Sequence, residues 1–340
     1  MPAEARDGQA AERADERKLL RNGLKVLAIA LIVVFLAAAI VTQIDALPKI
    51  DWSFDPPWLV ASLLCLCTFQ AIHAETWRRM LGALGYRLPW RRGWEIWNVS
   101  LLARYVPTQL LMVATRVAMS ERDGVPRRIT LASIVYEFLL AVGAALALSV
   151  SFIIGLPALQ DEPLRWAVIA IPVLIALGLH PRLFDLAFTK IAARFGTEPL
   201  PEPLSVSQVF RYGCAYASSF VIAGVGVYTF ARALHPIDGL NFGVILSVYA
   251  VAYASSVLAF FIPGGLGARE GATAAVLSAV VPFTVALATA VALRLVHTGV
   301  EIAYAGVSSL LSRGAPPAVV VESAARKADA SASEPGVPIS

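Results

Sequence analysis

Thirty consecutive residues, GLNFGVILSVYAVAYASSVLAFFIPGGLGA at positions 239–268, carry no charged side chain. A helix needs about 20 apolar residues to cross a bilayer, so this run is too long and too apolar for a water-soluble core. Near its end stands Pro263-Gly264-Gly265-Leu266-Gly267. A proline followed by three glycines within five positions will not continue a helix; such backbone turns tightly or approaches something closely. At membrane depth, non-helical backbone survives only where protein buries it or water lines it. The stretch thus implies a helical membrane protein with at least one broken membrane segment.

The rest of the chain agrees. Runs 212–231 and 271–293 are also uncharged, 58% of the 340 residues are apolar, and mean hydropathy is +0.69. Only 15% are charged, against roughly 25% in soluble domains. These values exclude a soluble enzyme, a nucleic-acid binder and a secreted disulfide scaffold. Outer-membrane strands would alternate polar and apolar residues in segments of about 10, which excludes a β-barrel. The net charge of +4 belongs to short loops at a membrane surface and does not point to nucleic acid. Cys65, Cys67 and Cys214 form no C-x-x-C pattern, and the four histidines are scattered. No metal and no cofactor is expected.

The fold class is all-α, a polytopic helical bundle. Full spans are expected at 24–44, 58–77, 129–156, 164–180, 212–231 and 284–311. Two further apolar stretches, 94–119 and 242–281, contain breakers and read as hairpins, giving eight spans if both cross. A cytoplasmic arm (1–23), the membrane domain (24–312) and a disordered tail (313–340) complete the division. One set of loops holds 21 lysines and arginines and the other three, which places both termini in the cytoplasm. The tryptophans fall near span ends, where an amphipathic ring prefers the interface.

Stretch 94–119 is too short for two spans, and a single span would put Arg122, Arg127 and Arg128 on the wrong side. A re-entrant hairpin broken at Pro107 meets both constraints. The second hairpin is expected to turn at the glycine loop, from the opposite face, although its long first arm leaves two true spans open. Each hairpin precedes a long span with buried charge, which admits an inverted repeat. In secondary transporters, such Pro/Gly-interrupted segments in two halves mark the binding site.

Arg104, Arg116, Glu137, Arg269, Glu270, Arg294 and Glu301 lie at membrane depth on this map. Each costs about 2.5–3.5 kcal/mol at a helix centre, so they should face the protein interior or a wet cavity. Arg294, His297 and Glu301 share one helix face. The competing reading is structural ion pairing. Arg104, near the start of its hairpin, is expected to snorkel to the surface. Glu75, Arg78 and Arg79 read as interfacial, and His73 and His180 as span-end residues.

The block Ile262-Pro-Gly-Gly-Leu-Gly-Ala-Arg-Glu-Gly271, followed by a span carrying Arg294, resembles the lysylphosphatidylglycerol synthase transmembrane family. The stretch from Arg104-Tyr-Val-Pro-Thr-Gln through Arg116 to Ser133-Ile-Val-Tyr-Glu137 is similar to that family's first block, with Thr108-Gln109 where relatives commonly carry glycine. The resemblance implies translocation of amphipathic lipids, anionic or aminoacylated phospholipids, glycolipids or polyprenyl-linked sugars, across the bacterial cytoplasmic membrane. It carries over Arg116, Glu137, Pro263, Gly264, Gly265, Gly267, Arg269, Glu270 and Arg294; Glu301 joins them from the helix-face argument. The synthase activity is not carried over, so no enzyme is expected. Two other readings stay open at this point: a small-ion or solute transporter, and a non-transporting accessory subunit of a lipid-modifying enzyme partner.

Overall fold

The computed structural model describes residues 54–105, 109–154, 164–194, 202–237, 239–258, 267–316 and 318–320. The expected N-terminal arm and first span, Pro107, and the glycine loop with Pro263, Gly264 and Gly265 lie outside the described residues.

Among the described residues, four helices are long and apolar enough to cross a membrane: α1 (Pro56–Ala83), α4 (Arg127–Ile154), α7 (Val206–Leu234) and α10 (Phe283–Leu311). Local sequence sets their starts. Proline occupies the first turn of α1, where a missing N–H is no loss. Ser205 and Gln208 cap α7 reciprocally, the Gln208 N–H donating to Ser205 Oγ and the Ser205 N–H to Gln208 Oε1. Helix α1 packs along α7, where Ser62 Oγ donates to the Gly226 carbonyl (2.7 Å).

Two broken segments lie between these helices. The first comprises α2 (Trp90–Leu102), a 3-10 turn (Ala103–Tyr105) and α3 (Gln109–Arg122). At 1.5 Å per residue, each arm measures about 20 Å, short of the ~30 Å hydrocarbon core. Arg92, at the outer end of α2, meets Asp123 just beyond α3 (Nη2–Oδ1 2.8 Å). Both outer ends therefore lie together, as the re-entrant reading requires. The second segment comprises α8 (Phe242–Leu258) and α9 (Ala268–Leu277), which pack together, and Ser255 Oγ donates to the Ala268 carbonyl (3.2 Å).

Contacts between loops fix which ends share a side. The strand β1 (Tyr86–Arg87) pairs antiparallel with β2 (Val319–Val320), and the Ala318 N–H donates to the Asp123 carbonyl. The segments after α1, α3 and α10, which contain or adjoin Arg87, Arg91, Arg92, Arg122, Arg127, Arg128 and Arg313, thus meet at one end. At the other end, the Asp55 N–H donates to the Ala233 carbonyl, joining the start of α1 to the end of α7. The second hairpin begins and ends on that opposite side, so the two hairpins are inverted. Their packing is reciprocal: α2 lies against α10 and α8 against α4.

Three expectations need correction. The 164–180 span is α5 (Leu164–Gly178), about 22 Å long, carrying Pro172 within it. It bends by 76° into α6 (Pro181–Arg194), a region expected to be loop. Pro181 cannot extend α5 but suits the first turn of a new helix. The tail is not wholly disordered, since Val319–Val320 is a strand. Trp77 and Trp97 are buried inside the protein and do not present their rings to a membrane interface, their indole N–H groups donating to Ser133 Oγ (3.1 Å) and Glu137 Oε1 (2.7 Å).

Candidate functional site

The inverted hairpins bring most of the intramembrane charges onto one cavity. It measures about 400 Å³ and is lined by Arg104, Arg116, Glu137, Arg269, His297 and Glu301 among apolar and aromatic side chains. Hairpin one supplies Arg104 and Arg116, α4 supplies Glu137, α9 supplies Arg269, and α10 supplies His297 and Glu301.

Arg116 is 1% exposed. It pairs with Glu137, donates from Nε to Ser100 Oγ (2.9 Å), and stacks over Trp77 and Trp97 at 5.1 and 5.8 Å. Two acceptors and two ring faces compensate a cation that would otherwise be too costly at this depth. Glu137 is held in turn by Trp97 and Arg116, one donor on each oxygen.

Glu301 is held similarly. Arg104 donates to Oε1, the Tyr105 hydroxyl donates to Oε2 (2.7 Å), and the same hydroxyl lies 3.1 Å from Thr298 Oγ1. Arg104 therefore does not snorkel. The 3-10 turn that ends α2 aims it inward at α10, and Pro107 follows two residues after that turn. The clasp ties the tip of hairpin one to the last helix.

Arg269 differs from the other two cavity arginines. Its Nη2 donates to the Tyr249 hydroxyl (2.5 Å) and lies 3.4 Å from His297 Nδ1, with the guanidinium 4.8 Å from the Tyr249 ring centroid. Its neighbour Glu270 faces the other way. Oε2 accepts from the Gly267 N–H (2.7 Å), closing the first turn of α9, and Oε1 lies 3.7 Å from Arg294 Nε. Gly267 has φ 83°, a left-handed conformation that glycine adopts at no steric cost. Glu270 and Arg294 do not line the large cavity. They face a small void of about 20 Å³, which Arg269, Tyr249 and His297 separate from it. The pairing of hairpin and long helix recurs with the charges exchanged, Arg116 to Glu137 and Glu270 to Arg294.

The sequence reading did not single out Tyr105 or Tyr249, and it took His73 for a span-end residue. His73 is interior, its Nε2 3.0 Å from Ser219 Oγ and its ring packed on Phe69, Trp97 and Tyr216. A hydroxyl-bearing ring within an otherwise apolar run was the available signal for Tyr249, because a buried phenol needs a partner. At the edge of the cavity Leu110, Val135 and Phe138 are apolar and exposed, Leu110 by 72%.

Residues 24–305 match the family model of the lysylphosphatidylglycerol synthase TM region. No curated protein matches the chain.

Proposed function

The chain belongs to the lysylphosphatidylglycerol synthase TM region family, and from that premise we propose that it carries a lipid head group across the membrane through the cavity between its hairpins. The substrate is an anionic or aminoacylated phospholipid, glycolipid or polyprenyl-linked lipid. One observation carries the reading: charges from both inverted hairpins and both following helices line one cavity whose rim is exposed and apolar. A charged head group needs the polar interior. Its hydrocarbon chains need the rim formed by Leu110, Val135 and Phe138.

Ion pairing alone accounts for Arg116 and Glu137, but it does not require a cavity of about 400 Å³ beside them. A transporter does. The clasp of Arg104 and Tyr105 on Glu301 and Thr298 closes the site when formed, and its parting exposes the head group on one side. The arginine-rich side faces the cytoplasm by the positive-inside rule, which puts both termini there. The chain moves its lipid without chemically altering it.

The test is expression in bacterial cells loaded with a fluorescent or aminoacylated lipid, reading its appearance in the outer leaflet. Wild type is expected to accelerate appearance and Arg269→Ala to abolish the gain. Equal rates for the two would remove the basis of the proposal.

A further inference from the structure

We infer that the cargo bears one net negative charge, a single phosphodiester with an otherwise uncharged and small head group, in preference to an aminoacylated cationic one. The inference rests on the transport reading above and follows from which groups in the cavity are already engaged.

A cationic head group needs carboxylate oxygens or open aromatic faces. Both cavity carboxylates already hold a donor on each oxygen. Glu137 takes Trp97 on one oxygen and Arg116 on the other, and Glu301 takes Arg104 and Tyr105 in the same manner. The faces of Trp97 and Tyr249 already carry the guanidinium groups of Arg116 and Arg269. An incoming ammonium would have to share each carboxylate with the arginine already paired to it.

An anion meets the reverse situation. Among the described lining residues Arg104 balances Glu301 and Arg116 balances Glu137, while Arg269 has only neutral partners, Tyr249 and His297 Nδ1. Glu270 and Arg294, behind the cavity, offset each other. The stretches 106–108 and 259–266, next to the site in sequence, contain no ionisable side chain. One positive charge is therefore left over, on the residue type whose planar fork matches a phosphate bidentately. A dianion would exceed it, and a cation would double it.

Size narrows the class further. Ligand pockets run roughly 300–1,000 Å³. About 400 Å³ suits a phosphate with one glycerol or one sugar ring and is too small for an oligosaccharide.

The experiment is native mass spectrometry of the purified full chain in detergent. Short-chain phosphatidylglycerol competes against lysyl-phosphatidylglycerol and phosphatidic acid, with soluble glycerophosphoglycerol as a separate arm. Phosphatidylglycerol is expected to win by about tenfold or more, and Arg269→Gln to lower its affinity about 10- to 100-fold and erase the preference. Arg269→Lys, which restores the charge without the fork, should recover part of the preference. Lysyl-phosphatidylglycerol binding as tightly as phosphatidylglycerol in the wild type would overturn the inference while leaving lipid transport standing, and this comparison needs no variant to fold. Equal affinity for the soluble diester would refute a lipid source, and binding of no lipid at all would bring down the transport reading with it.

Discussion

Replacing Glu301 by glutamine removes one charge and little volume, and its cost follows from the surroundings. The carboxylate is 1% exposed and accepts from both Arg104 and Tyr105. Taking one partner from a fully buried pair costs about 3–5 kcal/mol, because the other charge is stranded. Arg104 keeps 25% of its side chain accessible, and water in the cavity screens part of the stranded charge. About 2–3 kcal/mol is therefore expected for Glu301→Gln. Arg104→Gln should cost more, about 3–5 kcal/mol, because the carboxylate it strands is only 1% exposed. The double variant strands nothing, so its loss should fall about 2 kcal/mol short of the sum of the singles. Unfolding by SDS in mixed micelles, followed through the seven tryptophans, measures all four proteins. Additivity within about 0.5 kcal/mol would mean that the two side chains do not touch, and the clasp would fall with that result.

Other substitutions test separate parts of the architecture. Arg116→Met should destabilise by about 3–5 kcal/mol in the same assay, because it strands Glu137, whereas Arg79→Ala, at an exposed pair with Glu75, should cost under about 1 kcal/mol. Gly224→Ala would drive a methyl group into the Ile245 carbonyl where α7 meets α8, at a cost of about 1–3 kcal/mol. Gly213→Ala, whose new methyl would sit 3.7 Å from Leu140 Cδ2, is the control and should shift stability by no more than about 0.5 kcal/mol. Ala318→Pro deletes the N–H that reaches Asp123; amide exchange should rise at 86–87 and 319–320 while the helical core keeps its protection.

Features set by local composition were legible in the sequence. The four long described helices follow from strongly apolar runs, the breaks from proline and glycine, and the inversion of the hairpins from counting arginines in loops. What escaped was set by contacts between distant residues. Arg104 and Glu301 stand 197 positions apart, and no periodicity links them. Taken alone, an arginine near a hairpin mouth snorkels; a buried carboxylate across the bundle reverses that preference. Tyr249 was hidden for a similar reason, since a tyrosine in an apolar helix reads as core until the Arg269 that needs it is placed opposite. Helix α6 was missed because its charges, Arg182, Asp185 and Lys190, look like loop, and only the bend at Pro181 gives it a separate axis.

The claim on which the rest depends is that a lipid head group occupies the cavity while its chains leave through the apolar rim. A density map of the full chain in a nanodisc containing phosphatidylglycerol tests it most directly. The account predicts phosphate density within hydrogen-bond reach of Arg269, with chain density passing Leu110 and Phe138 into the bilayer. A cavity holding only water, with every lipid phosphate at the outer surfaces of the helices, would contradict it.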